Sequence, residues 1–298
     1  MNYLHSRLFD IQLISQLGLC VLLFLLPESF HNSLLFLLSG ILLATLGIPH
    51  GANDFLYRKD KSVRGSIVFL SVYLGVMGLY VIVWYFSGAV ALLLFFIITV
   101  FHFGQANFEE HRVLNAESLL WGVLLLIWPV AFSPGEAFDI FSSMSGTTFP
   151  LYYGRYLIYL GAGLTAIYLV LVWKRRKTVF LRLVVQMALI ILWFYLTPLI
   201  PGFIVVFSLW HGLQSMVYQH NYFMKTRSNT KKAKILFWKN MLVFSLISLA
   251  FLGAYLYFFG FDVGSLFILL SLITLPHVFV MHSLYIKTHR TIPKNQCG

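Results

Sequence analysis

Ten apolar runs, each about as long as a bilayer is thick, leave this chain few ways to fold. They lie near 11–27, 33–50, 65–86, 89–107, 116–133, 153–173, 179–197, 200–220, 236–259 and 264–286. A helix needs about 20 apolar residues to cross the hydrocarbon of a membrane, with roughly 17–25 tolerated. Lipid offers no water to the backbone, so a spanning segment must bond its own N–H and C=O groups, as a helix does. The alternation of a membrane barrel, in segments of about ten residues, is absent. Turn signals separate the runs: PES after the first, SPGEAFD after the fifth, TPLIPG before the eighth and FGFDVGS before the tenth. Only 10% of residues are charged and 59% are hydrophobic, whereas a soluble domain carries about 25% charged residues. The sequence therefore predicts an all-α, polytopic integral membrane helical bundle, with residues 1–298 forming one membrane domain.

Charge sets the expected orientation. With a cytoplasmic N-terminus, 20 of the 21 Lys and Arg residues fall in inside segments and only Arg155 falls outside. The inside set includes Lys59, Arg112, Arg290 and Lys294, and the outside loops hold Glu28, Glu136, Asp139 and Asp262. Lys and Arg gather on the cytoplasmic side of membrane proteins, so both termini are expected there, in the inner (plasma) membrane. The net charge of +11 is thereby accounted for without a nucleic-acid partner. The first run lacks a small-residue cleavage site and reads as a retained helix. Cys20 and Cys297 imply no disulfide framework.

The ten histidines carry the chemistry. His5, His31, His111 and His289 fall in termini or loops. His50, His102, His211, His220, His277 and His282 fall in the second, fourth, eighth and tenth runs, all running from outside to inside. His50 precedes Arg58, His102 precedes Glu109, His211 precedes Lys225 and His277 precedes Lys287 by 7 to 14 residues. At about 1.5 Å per residue, these four occupy one layer, ~10–21 Å from the cytoplasmic ends of four helices. Ionisable groups within a bilayer are costly and face the bundle interior. Facing helices build metal sites in this way, and imidazole suits Zn, Cu, Fe or Ni. The contexts are PHGAND, FHFGQAN, LWHGLQSM and LPHVFVMH. Gly51, Gly104 and Gly212 suggest close approach, and Pro49 and Pro276 suggest kinks. Asp54, four residues after His50, is expected to share its face and accept its free ring N–H. Gln105, Asn107 and Gln214 are further outer-layer candidates. His220 and His282 lie nearer the boundary, and His220 stands as the alternative ligand.

PHGA-x-D, HFG, WH-x-x-x-S and a late PH, in this order, resemble the Brp/Blh family of membrane β-carotene 15,15'-dioxygenases, over nearly the whole chain. The resemblance implies iron, Fe(2+), held by histidines, with β-carotene and dioxygen as substrates. The products would be two molecules of all-trans-retinal, available to a microbial rhodopsin. The chain departs from the pattern at three positions. Ser215 stands where a second histidine follows the WH histidine in known members, Asn107 where an acidic residue is frequent, and Phe55 where His is frequent. The fourth ligand is then His277, by depth, or His220.

Other chemistries fit less well. A di-iron desaturase needs about eight histidines in HxxxH or HxxHH clusters, and here none are spaced by three or four. Neither a Ser/His/Asp nor a Cys/His nucleophile set is evident. A membrane carrier, a pigment-binding protein with a histidine-lined cavity, and an oxygenase acting on another polyene remain as alternatives.

Overall fold

The computed structural model describes residues 6–58, 60–108, 115–227 and 230–291, without the side chains of 288–291. His5, His111, Lys59, Glu109, Arg112, Lys294 and Cys297, and the side chains of His289 and Arg290, lie outside the described residues. The described chain is helical. Its α-helices are α1 (Arg7–Leu25), α2 (Glu28–Leu42), α3 (Pro49–Ala52), α4 (Val63–Phe86), α5 (Gly88–Phe108), α6 (Ala116–Phe132) and α7 (Pro134–Ser145). They continue with α8 (Tyr153–Arg175), α9 (Phe180–Leu196), α10 (Leu199–Val206), α11 (Leu213–Lys225), α12 (Thr230–Phe259) and α13 (Val263–Thr291).

Among the described residues, nine helical segments are long and apolar enough to cross a membrane. A tenth arises if α6 and α7 count together, but these meet at an angle of 110°. The break falls at Ser133–Pro134, where Pro begins α7 because it has no N–H to give the preceding turn. The fifth expected run therefore ends at Phe132 and turns sharply instead of continuing. The second run passes its expected end at residue 50 and reaches Tyr57. Local caps explain other boundaries: Ser6 Oγ accepts from Phe9 N at 3.3 Å, and Ser62 Oγ accepts from Gly65 N at 3.0 Å.

The helices divide by depth. α4 and α12 expose apolar side chains almost all round, including Ile67, Val72, Leu79, Leu246 and Phe251. A surface of that kind faces lipid, where it costs nothing. α5, α9 and the segment Leu199–Lys225 are the most buried and form the centre. α5 packs closely on α6 and α6 on α8. Gly104 and Gly122 allow the first contact: a Cβ on either would overlap the backbone carbonyl of Ser118 or Val100. Trp121 and Tyr168, with ring centroids 6.1 Å apart, fill the layer between α6 and α8.

Ion pairs tie several helix ends together. Glu117 at the start of α6 is buried and pairs with Arg175 (2.8 Å) and Arg176 (3.3 Å) at the end of α8. Arg182 near the start of α9 pairs with Asp10 on α1 at 2.8 Å.

Two interruptions of the regular helix position the site. The chain winds as a π-helix over Leu43–Gly47, before α3, and again over Phe207–Gly212, between α10 and α11. Ile48 N donates to Leu43 O at 2.7 Å, a bond five residues back. That widened turn lets Pro49, which cannot donate, begin α3 without a kink within it. The two π segments pack against each other. Gly212 makes this possible, since a Cβ there would lie 3.0 Å from Leu46 O. Pro276 lies inside α13, which continues through it.

Candidate metal centre

The four histidines at one expected depth meet in space. His50 comes from α3, His102 from α5, His211 from the second π segment and His277 from α13. Each offers a ring nitrogen, and these four atoms all lie within 4.8 Å of one another. Ring centroids are 5.0 Å apart for His50–His211 and for His50–His277, 4.6 Å for His102–His211 and 5.1 Å for His102–His277. Each ring thus has two others as edge-on neighbours. None of the four is more than 8% exposed.

The polar accounting of this cluster is unbalanced. Both ring nitrogens of His102, both of His211 and Nε2 of His277 are buried without a hydrogen-bond partner, five atoms in all. A buried unsatisfied polar atom costs about 1–3 kcal/mol. Five would together cost about 5–15 kcal/mol, as much as the whole net stability of a typical domain. A shared cation would take one nitrogen from each ring and so satisfy three of these five atoms, one each on His102, His211 and His277, lifting about 3–9 kcal/mol of that cost. An ion with metal–nitrogen bonds of about 2.1 Å needs its ligand nitrogens about 3.0–4.2 Å apart, and the quartet's nitrogens, all within 4.8 Å of one another, lie close to that range. The residues present therefore fit a metal ion, and their all-nitrogen donor set suits a borderline one.

Outer contacts orient two of the rings. His50 Nδ1 bonds the carbonyl of Gly47, the last residue of the first π segment. His277 Nδ1 lies 2.9 Å from both carboxylate oxygens of Asp54, and Tyr73 Oη donates to Oδ2 at 3.2 Å. This corrects the expected partner of Asp54, which serves His277 and not His50. The i, i+4 argument fails because α3 ends at Ala52: Asn53 has φ −86° and ψ 0°, and a 3₁₀ turn (Asp54–Tyr57) follows. The tighter turn swings the carboxylate away from His50 toward α13.

The remaining expectations divide. Gln105 Nε2 bonds His282 Nδ1 at 2.9 Å, Asn107 Oδ1 accepts from Gln186 Nε2 at 3.1 Å, and Gln214 Nε2 donates to Ala106 O at 2.6 Å. These bonds tie α5 to α13, α9 and α11 and do not reach the four rings. His220 packs on Phe237 (5.2 Å) and Trp238 (6.2 Å) of α12, away from the quartet. Ser215 is fully buried and its hydroxyl has no partner. Gly51 needs no close approach, since the nearest atom to a Cβ there is His277 Nδ1 at 3.8 Å.

Sequence reasoning missed Gln219, whose Nε2 donates to His50 O at 2.7 Å and contacts Met281 Sδ at 3.4 Å. The signal was available. His211, Ser215 and Gln219 recur every four residues, so a polar stripe descends from His211 along one face. It also missed an aromatic wall. Phe207 lies 5.3 Å from His50, Phe103 lies 4.8 Å from His211, and Phe203 stacks on Phe207.

Comparison with known proteins agrees with these residues. A family model described as β-carotene 15,15'-dioxygenase matches residues 41–285, a range that contains all four histidines. A curated β-carotene 15,15'-dioxygenase from uncultured marine bacterium 66A03 is 26% identical over 129 residues. That alignment covers 40% of this chain and 46% of the relative, so it spans about half the length of the curated protein. No solved structure matches.

Proposed function

We propose that this chain, which belongs to the β-carotene 15,15'-dioxygenase family, cleaves β-carotene at its central double bond with dioxygen. One C=C bond and one O–O bond break, two C=O bonds form, and both oxygen atoms leave in two molecules of all-trans-retinal. No external reductant is required. The observation that carries the reading is the quartet of buried histidines, its nitrogens within 4.8 Å of one another, in a chain of this family.

His50, His102, His211 and His277 are the proposed ligands of Fe(2+). An iron(II) ion held by them would supply the position at which dioxygen is activated. The Gly47 carbonyl and the Asp54 carboxylate each hold an Nδ1 proton, which turns Nε2 of His50 and His277 toward the centre. Phe103, Phe203 and Phe207 exclude water and offer flat faces to a polyene. An apolar trough of about 670 Å³ between α4 and α13 reaches Tyr73 and Pro276. These residues adjoin Asp54 and His277, and the trough is the proposed route by which a substrate dissolved in lipid approaches. The protein is read as working in the bacterial inner membrane with both termini cytoplasmic, its retinal available to a microbial rhodopsin.

The test is pigment chromatography of a β-carotene-producing bacterial host expressing the chain, beside an empty-vector control. Loss of β-carotene with appearance of retinal is expected. Intact β-carotene, with the protein present in the membrane, would overturn the substrate and direct attention to another polyene or to transport.

A further inference from the structure

A second concavity lies where three of the spanning segments end. Glu28–Tyr57, Leu199–Lys225 and Val263–Lys287, which carry His50, His211 and His277, terminate around a pocket of about 390 Å³. That volume lies within the roughly 300–1,000 Å³ of small-molecule sites. Leu56, Tyr57, Tyr222 and Phe223 give the pocket apolar and aromatic walls, and Lys61 supplies an amine.

Two observations join the pocket to the metal centre. Arg58 lines both this pocket and the trough between α4 and α13, so the two concavities adjoin. Tyr57 Oη donates to Gln219 O at 3.2 Å, and Gln219 Nε2 donates to His50 O at 2.7 Å. One wall of the pocket is therefore tied through Gln219 to a proposed ligand.

Lys61 differs from an ordinary surface lysine. The residue is open to solvent, yet its Nζ donates to the Leu56 carbonyl, which holds the amine against the pocket wall. Desolvation of the ammonium there, followed by the charge of Arg58, pushes it down to about 8. A lysine ordinarily titrates near 10.4, so the share of neutral amine at pH 7 rises on the order of a hundredfold. The neutral amine is the nucleophile, and lysines shifted in this way form Schiff bases with carbonyl compounds.

We propose that this pocket receives all-trans-retinal, the aldehyde product, and that Lys61 holds it as a reversible Schiff base. The inference rests on the cleavage reaction given above, but its test does not. The Lys61 amine adds to the aldehyde carbon. One C=O bond and two N–H bonds give way to one C=N bond and two O–H bonds, and the oxygen leaves as water. Nothing is oxidised or reduced, so hydrolysis releases the aldehyde again. The aromatic walls pack against the adjoining polyene.

The purified full-length protein, incubated with all-trans-retinal, reduced with sodium cyanoborohydride to fix C=N as C–N, and mapped by peptide mass spectrometry, tests this. The adduct is expected on Lys61, at an occupancy about tenfold or more above that of Lys174 or Lys231. Lys61→Arg, which keeps the charge, should abolish that adduct and leave the labelling of Lys174 unchanged. Supplying retinal separates the two readings. An adduct on Lys61 in a protein that leaves β-carotene intact would uphold the aldehyde site and overturn the cleavage. Cleavage of β-carotene without the adduct would overturn the aldehyde site alone. Even labelling across the lysines, or an adduct on Lys287 in place of Lys61, also overturns it.

Discussion

Replacing Asp54 with Asn removes a charge at nearly constant volume and tests how the centre is held. Both carboxylate oxygens lie 2.9 Å from His277 Nδ1. The carboxylate accepts the Nδ1 proton and so keeps the Nε2 lone pair directed at the other rings. Asn offers one oxygen in place of two and can turn its NH₂ toward Nδ1, which favours the wrong tautomer. A hydrogen bond to a charged group is worth about 1.5–3 kcal/mol. Losing the outer partner of a metal-bound histidine typically costs 10–100-fold in metal affinity or activity, which is about 1.4–2.8 kcal/mol. Chelator competition with Zn(II) is a suitable assay, because three imidazoles still bind that ion when one histidine is absent. Asp54→Asn should lower affinity by that factor in the native background and in His50→Ala, but should have no further effect in His277→Ala. The same loss in both histidine variants would refute the link from Asp54 to His277. Unchanged affinity in the native background would show that the carboxylate orients nothing.

Alanine at His50, His102, His211 or His277 should abolish retinal formation and drop bound iron, read by elemental analysis, well below one equivalent. His220→Ala and Ser215→Ala should leave iron content unchanged, since neither side chain belongs to the quartet. Tyr73→Phe removes one hydroxyl from a carboxylate that keeps its other contacts, and should cost less than about tenfold in metal affinity. Gly104→Ala forces a methyl into the Ser118 carbonyl and should destabilise by about 1–3 kcal/mol, seen as a lower thermal midpoint. Gly212→Ala presses on Leu46 O at 3.0 Å. It should also weaken metal binding, because it separates the π segments that carry His211 and lead to His50.

The sequence by itself determined that the chain is a set of long apolar helices, because the hydrocarbon thickness acts on each run locally; it did not show that the fifth run breaks at Ser133–Pro134 or that the second reaches Tyr57. It also determined the common depth of four histidines, since depth along a helix is a count of residues from a charged end. It did not determine which face each histidine presents. That azimuth depends on the π turns at Leu43–Gly47 and Phe207–Gly212, which shift every later side chain around the axis and leave no periodic signature in a uniformly apolar run. Nor did it reveal that α3 stops at Ala52, so the four-residue spacing of His50 and Asp54 pointed to the wrong bond. The partner of Asp54 stands 223 residues away on α13. Only the packed bundle could choose His277, because burying that carboxylate is affordable only where a ring N–H and the Tyr73 hydroxyl meet it from two other helices.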